Sequence, residues 1–226
     1  VVFDLDGTLI DSYRAITASV NHARAAFEMA PMSEPVVRRH VGRGLEALMA
    51  DVLEDPGRVP EGVRLFRDRY AEVYRSQTDL LPAAMRTVRE LHRRGYPMAV
   101  ASNKPARFGE AILRDLGLLP YLNAVQGPDR AGRAKPDPTM IRLCLGSMAV
   151  VPREAVYVGD MVVDVQSAAR AEIPVVLVAG GSSDESELAG TGELVLRRLD
   201  TLLDLLPPLP ARGRAFPDAA SERRSG

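Results

Sequence analysis

The sequence predicts an α/β fold: a doubly wound parallel sheet carrying an all-helical domain inserted after its first strand. Three observations lead there. Short apolar runs alternate with helical stretches through the second half of the chain, the pattern of parallel strands joined by crossover helices. The block from Asp11 to about Asp79 shows helical periodicity and no strand pattern. Three apolar runs end in a side chain able to do chemistry, as strand carboxyl ends do at the ligand crevice of such sheets.

Taken in order, residues 1–3 ("VVF") read as a short buried strand. Tyr13, Ile16, Val20, Ala23 and Phe27 then fall at helical spacing, as do Leu45, Leu48, Met49 and Val52, and later Val63, Phe66, Tyr70 and Val73. Pro31, Pro35, Gly42, Gly57 and Pro60 punctuate these runs, so about four helices are expected between 11 and 79. Beyond Leu80 a helix near 83–94 leads to "MAVAS", and another over 106–116 leads to a weak strand near "NAVQG". A helix over about 138–147 leads to "AVYVGD", and one over 162–171 leads to "PVVLVAG". The expected division is a core from 1–10 and 80–206, a helical insert over 11–79, and a Pro- and Arg-rich tail over 207–226 that reads as disordered.

Composition narrows the function. Of 226 residues, 46% are hydrophobic, enough for one core with a smaller appended domain. A net charge of −1 argues against nucleic-acid binding, which usually shows as a basic excess. No apolar run approaches the ~18 residues of a membrane span, and no signal-type leader is read before the first motif. The chain opens without Met inside an apolar run, so a few upstream residues are expected. Cys144 is the only cysteine, which rules out an intramolecular disulfide and suits a cytoplasmic location. The basic residues are lopsided: Lys104 and Lys135 are the only lysines, and all the rest are arginine.

The three reactive strand endings are "VVF" before Asp4, "MAVA" before Ser102 and "VYVG" before Asp160. One such residue alone would suit a helix N-cap. Three of them, with a second carboxylate in "DLDGT", are hard to assign to capping. Crowding two aspartates at a strand end is unfavourable unless something offsets their charge.

These pieces, "DLDGTLIDS", "ASNK", "KPDP" and "GDMVVD", stand in the order of the haloacid dehalogenase (HAD) superfamily phosphatases, and the chain resembles that family. The closest resemblance is to phosphoglycolate phosphatases, whose helical cap follows the first motif. The fold so implied is a Rossmann-like HAD core with an inserted cap. The resemblance implies Mg²⁺ as cofactor, held by the Asp4 carboxylate, the Asp6 backbone carbonyl and Asp160. It implies Asp4 as the nucleophile that forms an aspartyl phosphate. Asp6 would be the acid for the leaving group and then the base for water. Ser102 and the Asn103 amide would hold phosphate oxygens, with Lys135 neutralising the transferred group. Thr8 would add hydrogen bonds to the site, the substrate included, or to its loop. Asp164, one helical turn beyond Asp160, would reach the metal's waters or orient Lys135. Lys104 is expected at the site edge or in solvent.

Two departures stand out. Glu172 and Ala83 occupy positions where relatives usually have glycine, a matter of stability rather than chemistry. The substrate is expected to be a small phosphorylated metabolite, most of all 2-phosphoglycolate. Arg43, between Gly42 and Gly44, either binds a substrate carboxylate or is a solvated loop residue. His22 and His40 read as packing or surface residues. A pyrophosphatase, a sugar-phosphate phosphatase, a phosphomutase and a non-catalytic binding protein are the alternatives. The oligomeric state is not legible.

Overall fold

The computed structural model describes residues 1–210; the part of the expected tail from 211 to 226 lies outside the described residues. The chain runs β1 (Val2–Phe3), β2 (Ile10–Asp11), α1 (Tyr13–Ala26), α2 (Glu34–Arg38), α3 (Leu45–Leu53), α4 (Val59–Val73) and β3 (Asp79–Leu80). It continues α5 (Ala84–Arg93), β4 (Ala99–Ala101), α6 (Ala106–Asp115), β5 (Ala124–Gln126), α7 (Pro128–Ala131), α8 (Thr139–Met148) and β6 (Tyr157–Gly159). It closes with α9 (Val162–Arg170), β7 (Val175–Val178), α10 (Glu185–Ala189), β8 (Leu194–Leu196) and α11 (Leu202–Leu205).

Six strands form one sheet in the order β5-β4-β1-β6-β7-β8, every neighbouring pair parallel. Helices cover both faces, so alternate residues of one strand enter different cores. Phe3 and Val100 pack with Val88 and Leu91 of α5 and Ile112 of α6. Val2, Ala99 and Ala101 face Met140, Ile141 and Cys144 of α8 instead. The outermost strand β8 was not anticipated from sequence. It is a short edge, and its Leu194 is half exposed.

The cap is the segment between β2 and β3, four helices with a core of their own that includes Ile16, Val20, Met49, Val52 and Phe66. It leaves and rejoins the sheet domain through a two-stranded antiparallel neck, with Ile10 opposite Leu80 and Asp11 opposite Asp79. Arg14 bridges to Asp79 there, offsetting two like charges across the neck. At the far end, the described start of the expected tail is held against the core. Tyr96 Oη donates to the Pro207 carbonyl at 2.7 Å, and the Leu209 amide donates to the Arg94 carbonyl at 3.0 Å.

Ala83 and Glu172 adopt left-handed backbone, with φ of 68° and 61°. Each carries a Cβ where glycine would be unstrained. Exposed Glu172 follows α9 at a helix C-terminus, the usual place for such a turn. Glu172→Gly is therefore expected to stabilise the protein by about 0.5–1 kcal/mol, read as a higher urea midpoint. An unchanged or lower midpoint would show that the turn carries no strain.

Candidate active site

The carboxyl ends of β1, β4 and β6 meet in one crevice beneath the cap, and three side chains expected from sequence converge there. Asp4 follows β1, Ser102 follows β4, and Asp160 follows β6; all three are buried. Lys135 reaches the same point from the loop before α8 and is 4% exposed. Its Nζ donates to Asp164 Oδ1 at 2.7 Å and to Tyr157 Oη at 3.1 Å. It also lies 2.9 Å from Asp4 Oδ1. That last contact is an ion pair without hydrogen-bond alignment, and Asp4 Oδ1 is left with no aligned donor. Burial opposes the charge on Lys135, but Asp164 and Asp4 outweigh it and hold the ammonium above its usual range.

Asp164 is the residue that orients Lys135. Its Oδ1 takes the ammonium, while Oδ2 accepts from the Asp160 and Met161 amides at 3.1 and 3.0 Å. Both oxygens are thus engaged. Asp160 is held differently: Thr8 Oγ1 donates to Oδ1 at 3.0 Å and the Ser182 amide to Oδ2 at 2.7 Å. Thr8, expected to contact the substrate, is instead 1% exposed and directed at Asp160. Between them runs Gly7 at φ 83°, where a Cβ would collide with Asp160 Oδ2 and Tyr13 Oη. Only glycine lets this backbone turn so close to the carboxylates.

Carboxylate oxygens of Asp4, Asp160 and Asp164 lie within 4.8 Å of one another, all buried. Burial first, and then the neighbouring carboxylate Asp164, push Asp4 up to about 6 against the pull of Lys135. Burial, Asp4 and Asp164 push Asp160 well above its ordinary value. One ammonium among three carboxylates leaves negative charge uncompensated in a dry site. The chemistry of this donor set, and the unmatched Asp4 Oδ1, fit a hard divalent cation that takes oxygen ligands.

Asp6 stands apart from that cluster. Ser12 Oγ donates to its Oδ1, and Lys104 Nζ lies 2.9 Å from Oδ2. Lys104 is therefore neither at the site edge nor in solvent. It is 9% exposed and sits 4.9 Å from the centre of the Tyr70 ring, contributed by cap helix α4. Burial disfavours its charge, yet Asp6 and Tyr70 more than compensate. Asn103 acts through its side chain: Oδ1 accepts from the Lys135 amide at 2.6 Å, and Nδ2 donates to the Gly42 carbonyl at 2.7 Å. It thus ties the lysine loop to the cap loop.

Arg43 does not reach the site. Gly42 and Gly44, at φ 115° and 95°, line the cavity, and the bend they make turns the side chain between them outward. There Arg43 pairs with Asp51 of α3 and is 59% exposed, which corrects the reading of it as a substrate ligand. His40 Nδ1 meets the same carboxylate at 3.2 Å. The cavity between cap and core measures about 420 Å³. Its floor holds Asp4, Asp6, Ser102 and Lys135, and its cap wall is largely apolar, with Val41, Leu48 and Phe66. Ser12, Tyr70, Tyr157 and Ser182 belong to the site and were not singled out from sequence. Of these only Ser12 stood inside a recognised motif.

Phosphoryl transfer to a carboxylate needs an oxygen free of donors and a cation beside it. This crevice supplies both, and in class the protein is a phosphoric monoester hydrolase. Comparison with known proteins places it further: the chain belongs to the haloacid dehalogenase-like hydrolase family, whose model matches residues 1–178. It is 34% identical over 206 residues to the phosphoglycolate phosphatase of Rhodospirillum rubrum, covering 87% of this chain and 85% of that one. Phosphoglycolate phosphatase 1 of Pseudomonas aeruginosa is 32% identical over 215 residues, covering 92% and 78%. A crystal structure of a putative phosphoglycolate phosphatase from Lactobacillus delbrueckii superposes with a TM-score of 0.85 at 21% identity, covering 89% of this chain and 95% of that one. That likeness shows the shared fold. Among the described residues, no helix is long and apolar enough to cross a membrane.

Proposed function

We propose that this protein hydrolyses 2-phosphoglycolate to glycolate and inorganic phosphate through an aspartyl phosphate on Asp4. The observation that carries the mechanism is Asp4, a buried carboxylate that lines the cavity beside Lys135 and keeps one oxygen, Oδ1, without an aligned donor. The glycolate assignment rests on the two relatives that share about a third of their residues with this chain over most of its length.

Asp4 attacks phosphorus in line, and the bond from phosphorus to the glycolate oxygen breaks. Asp6, which must be protonated when the substrate is bound, gives that proton to the oxygen, so glycolate leaves as an alcohol. Lys135, locked by Asp164 and Tyr157, offsets the charge that gathers on the phosphoryl oxygens, and Ser102 Oγ donates to one of them. Asp6 then takes a proton from the water that attacks the aspartyl phosphate, which frees Asp4 and releases phosphate. Asp4 and Asp160 would hold Mg²⁺, whose charge would offset the carboxylates and the incoming dianion. Asp164 is the poorer ligand, since both its oxygens already serve Lys135 and the backbone.

Purified protein supplied with 2-phosphoglycolate and Mg²⁺ is expected to yield glycolate and inorganic phosphate in equal amounts. Chelation should stop the reaction and added Mg²⁺ restore it. Isomerised product without phosphate release would mark a mutase. Full activity after exhaustive chelation would reject the cation site at Asp4 and Asp160.

A further inference from the structure

We infer that Lys104 and Tyr70 form a clamp for a carboxylate carried one carbon from the ester oxygen, and so set the enzyme's preference for 2-phosphoglycolate. The inference rests on the function proposed above and assigns the substrate contact that Arg43 does not make.

The cavity has four basic residues on its walls among those described: Arg67, Lys104, Arg107 and Lys135. Lys135 is committed to Asp4, Asp164 and Tyr157. Arg67 is 52% exposed and pairs with Glu46, and Arg107 is exposed with its guanidinium over Phe108. Lys104 alone is buried with a single carboxylate partner, Asp6. Asp6 is the group that protonates the leaving oxygen, so that oxygen must come within one hydrogen bond of its carboxyl. Lys104 Nζ already lies 2.9 Å from the same carboxyl. The ester oxygen and the ammonium are therefore close neighbours. A carboxylate attached through one methylene spans that separation.

Tyr70 supplies the second, independent observation. It is 3% exposed and lines the cavity, and its hydroxyl has no hydrogen-bond partner. The Lys104 ammonium lies beside it, 4.9 Å from the ring centre, and being a donor it gives the hydroxyl proton no acceptor. A buried hydroxyl is rarely left unmatched, because it forfeits its hydrogen bonds to water. An incoming carboxylate would accept from it through one oxygen and from Lys104 through the other, a charge-assisted pair. The rest of the cap wall is largely apolar, with Val41, Leu48 and Phe66, and its one basic side chain, Arg67, pairs with Glu46.

The test compares kcat/KM for 2-phosphoglycolate with that for 2-hydroxyethyl phosphate, which replaces the carboxylate by a neutral hydroxymethyl. The parent enzyme is expected to prefer the carboxylate ester. Lys104→Met should reduce that preference by roughly 10- to 100-fold, and Tyr70→Phe by roughly 3- to 10-fold, chiefly through KM. Lys104→Met also removes the partner of Asp6, so a loss shared by both esters is expected beneath the selective one. Tyr70→Phe keeps the ring and the fold, and it carries the test if Lys104→Met gives no soluble protein. A parent that prefers 2-phosphoglycolate, with the ratio unchanged in both variants, overturns the clamp and leaves the glycolate assignment standing. A parent that turns over 2-hydroxyethyl phosphate but not 2-phosphoglycolate overturns both.

Discussion

Asp4→Asn is expected to lower turnover by roughly 10⁴-fold or more on any phosphate ester, because an amide cannot attack phosphorus or leave as a carboxylate. The fold should survive. Asn matches Asp in size, and the amide would relieve charge crowding with Asp160 and Asp164. The parent enzyme, quenched in acid during turnover of ³²P-substrate, should carry label as an acyl phosphate that hydroxylamine releases; the variant should carry none. A variant with wild-type-like turnover, or one that still accumulates a hydroxylamine-labile phosphoenzyme, would remove Asp4 from the nucleophile's role.

Loss of Lys135 should be nearly as severe, and in two currencies at once. Lys135→Met removes the ammonium set among Asp4, Asp164 and Tyr157, all buried. Removing one partner of a buried ionic cluster costs about 3–5 kcal/mol, because the remaining charges are left without compensation. Activity should fall by about 10²–10³-fold from the lost stabilisation of the phosphoryl oxygens. Urea unfolding in the presence of a chelator measures the first effect and steady-state phosphate release the second. Mg²⁺ should recover part of the stability, since a cation at Asp4 and Asp160 offsets the same carboxylates, but not the rate. A variant as stable as its parent and within tenfold of its activity would show that Lys135 does neither job.

Much of the sheet and of the catalytic floor was legible in the sequence, because both depend on local pattern. Asp4, Ser102 and Asp160 stand where an apolar run stops, and a parallel sheet delivers all such ends to one crevice. Lys135 was conspicuous as one of two lysines in an arginine-rich chain. What was missed depends on how distant segments meet. Lys104 looked peripheral because its burial requires Tyr70, on α4 of the cap, to lie over it. Arg43 looked suited to the substrate because flanking glycines permit an inward bend. The carboxylate that captures it, Asp51, stands a helix away on the outer side. Thr8 was read as bonding to the site, and it does so through Asp160 rather than facing the substrate, while Ser182 contributes only its backbone amide to Asp160, which no side-chain pattern reveals. Strand β8 escaped notice because Leu194 and Val195 are not fully buried, and three residues are too few to show a period.

The paired neck of β2 and β3 has a thermodynamic consequence for how this architecture can change. The chain departs at Asp11 and returns at Asp79, directly opposite each other. To the sheet, everything between them is a closed ring attached at one point. The entropy of closing such a ring grows only with the logarithm of its length, so a doubling adds about 0.6 kcal/mol. The cap also has an apolar interior of its own, which the sheet domain joins through Phe108 of α6. Its helices are thus free to be lengthened, shortened or exchanged at almost no expense to the register of the strands beneath, while Asp4, Ser102 and Asp160 stay where the sheet puts them.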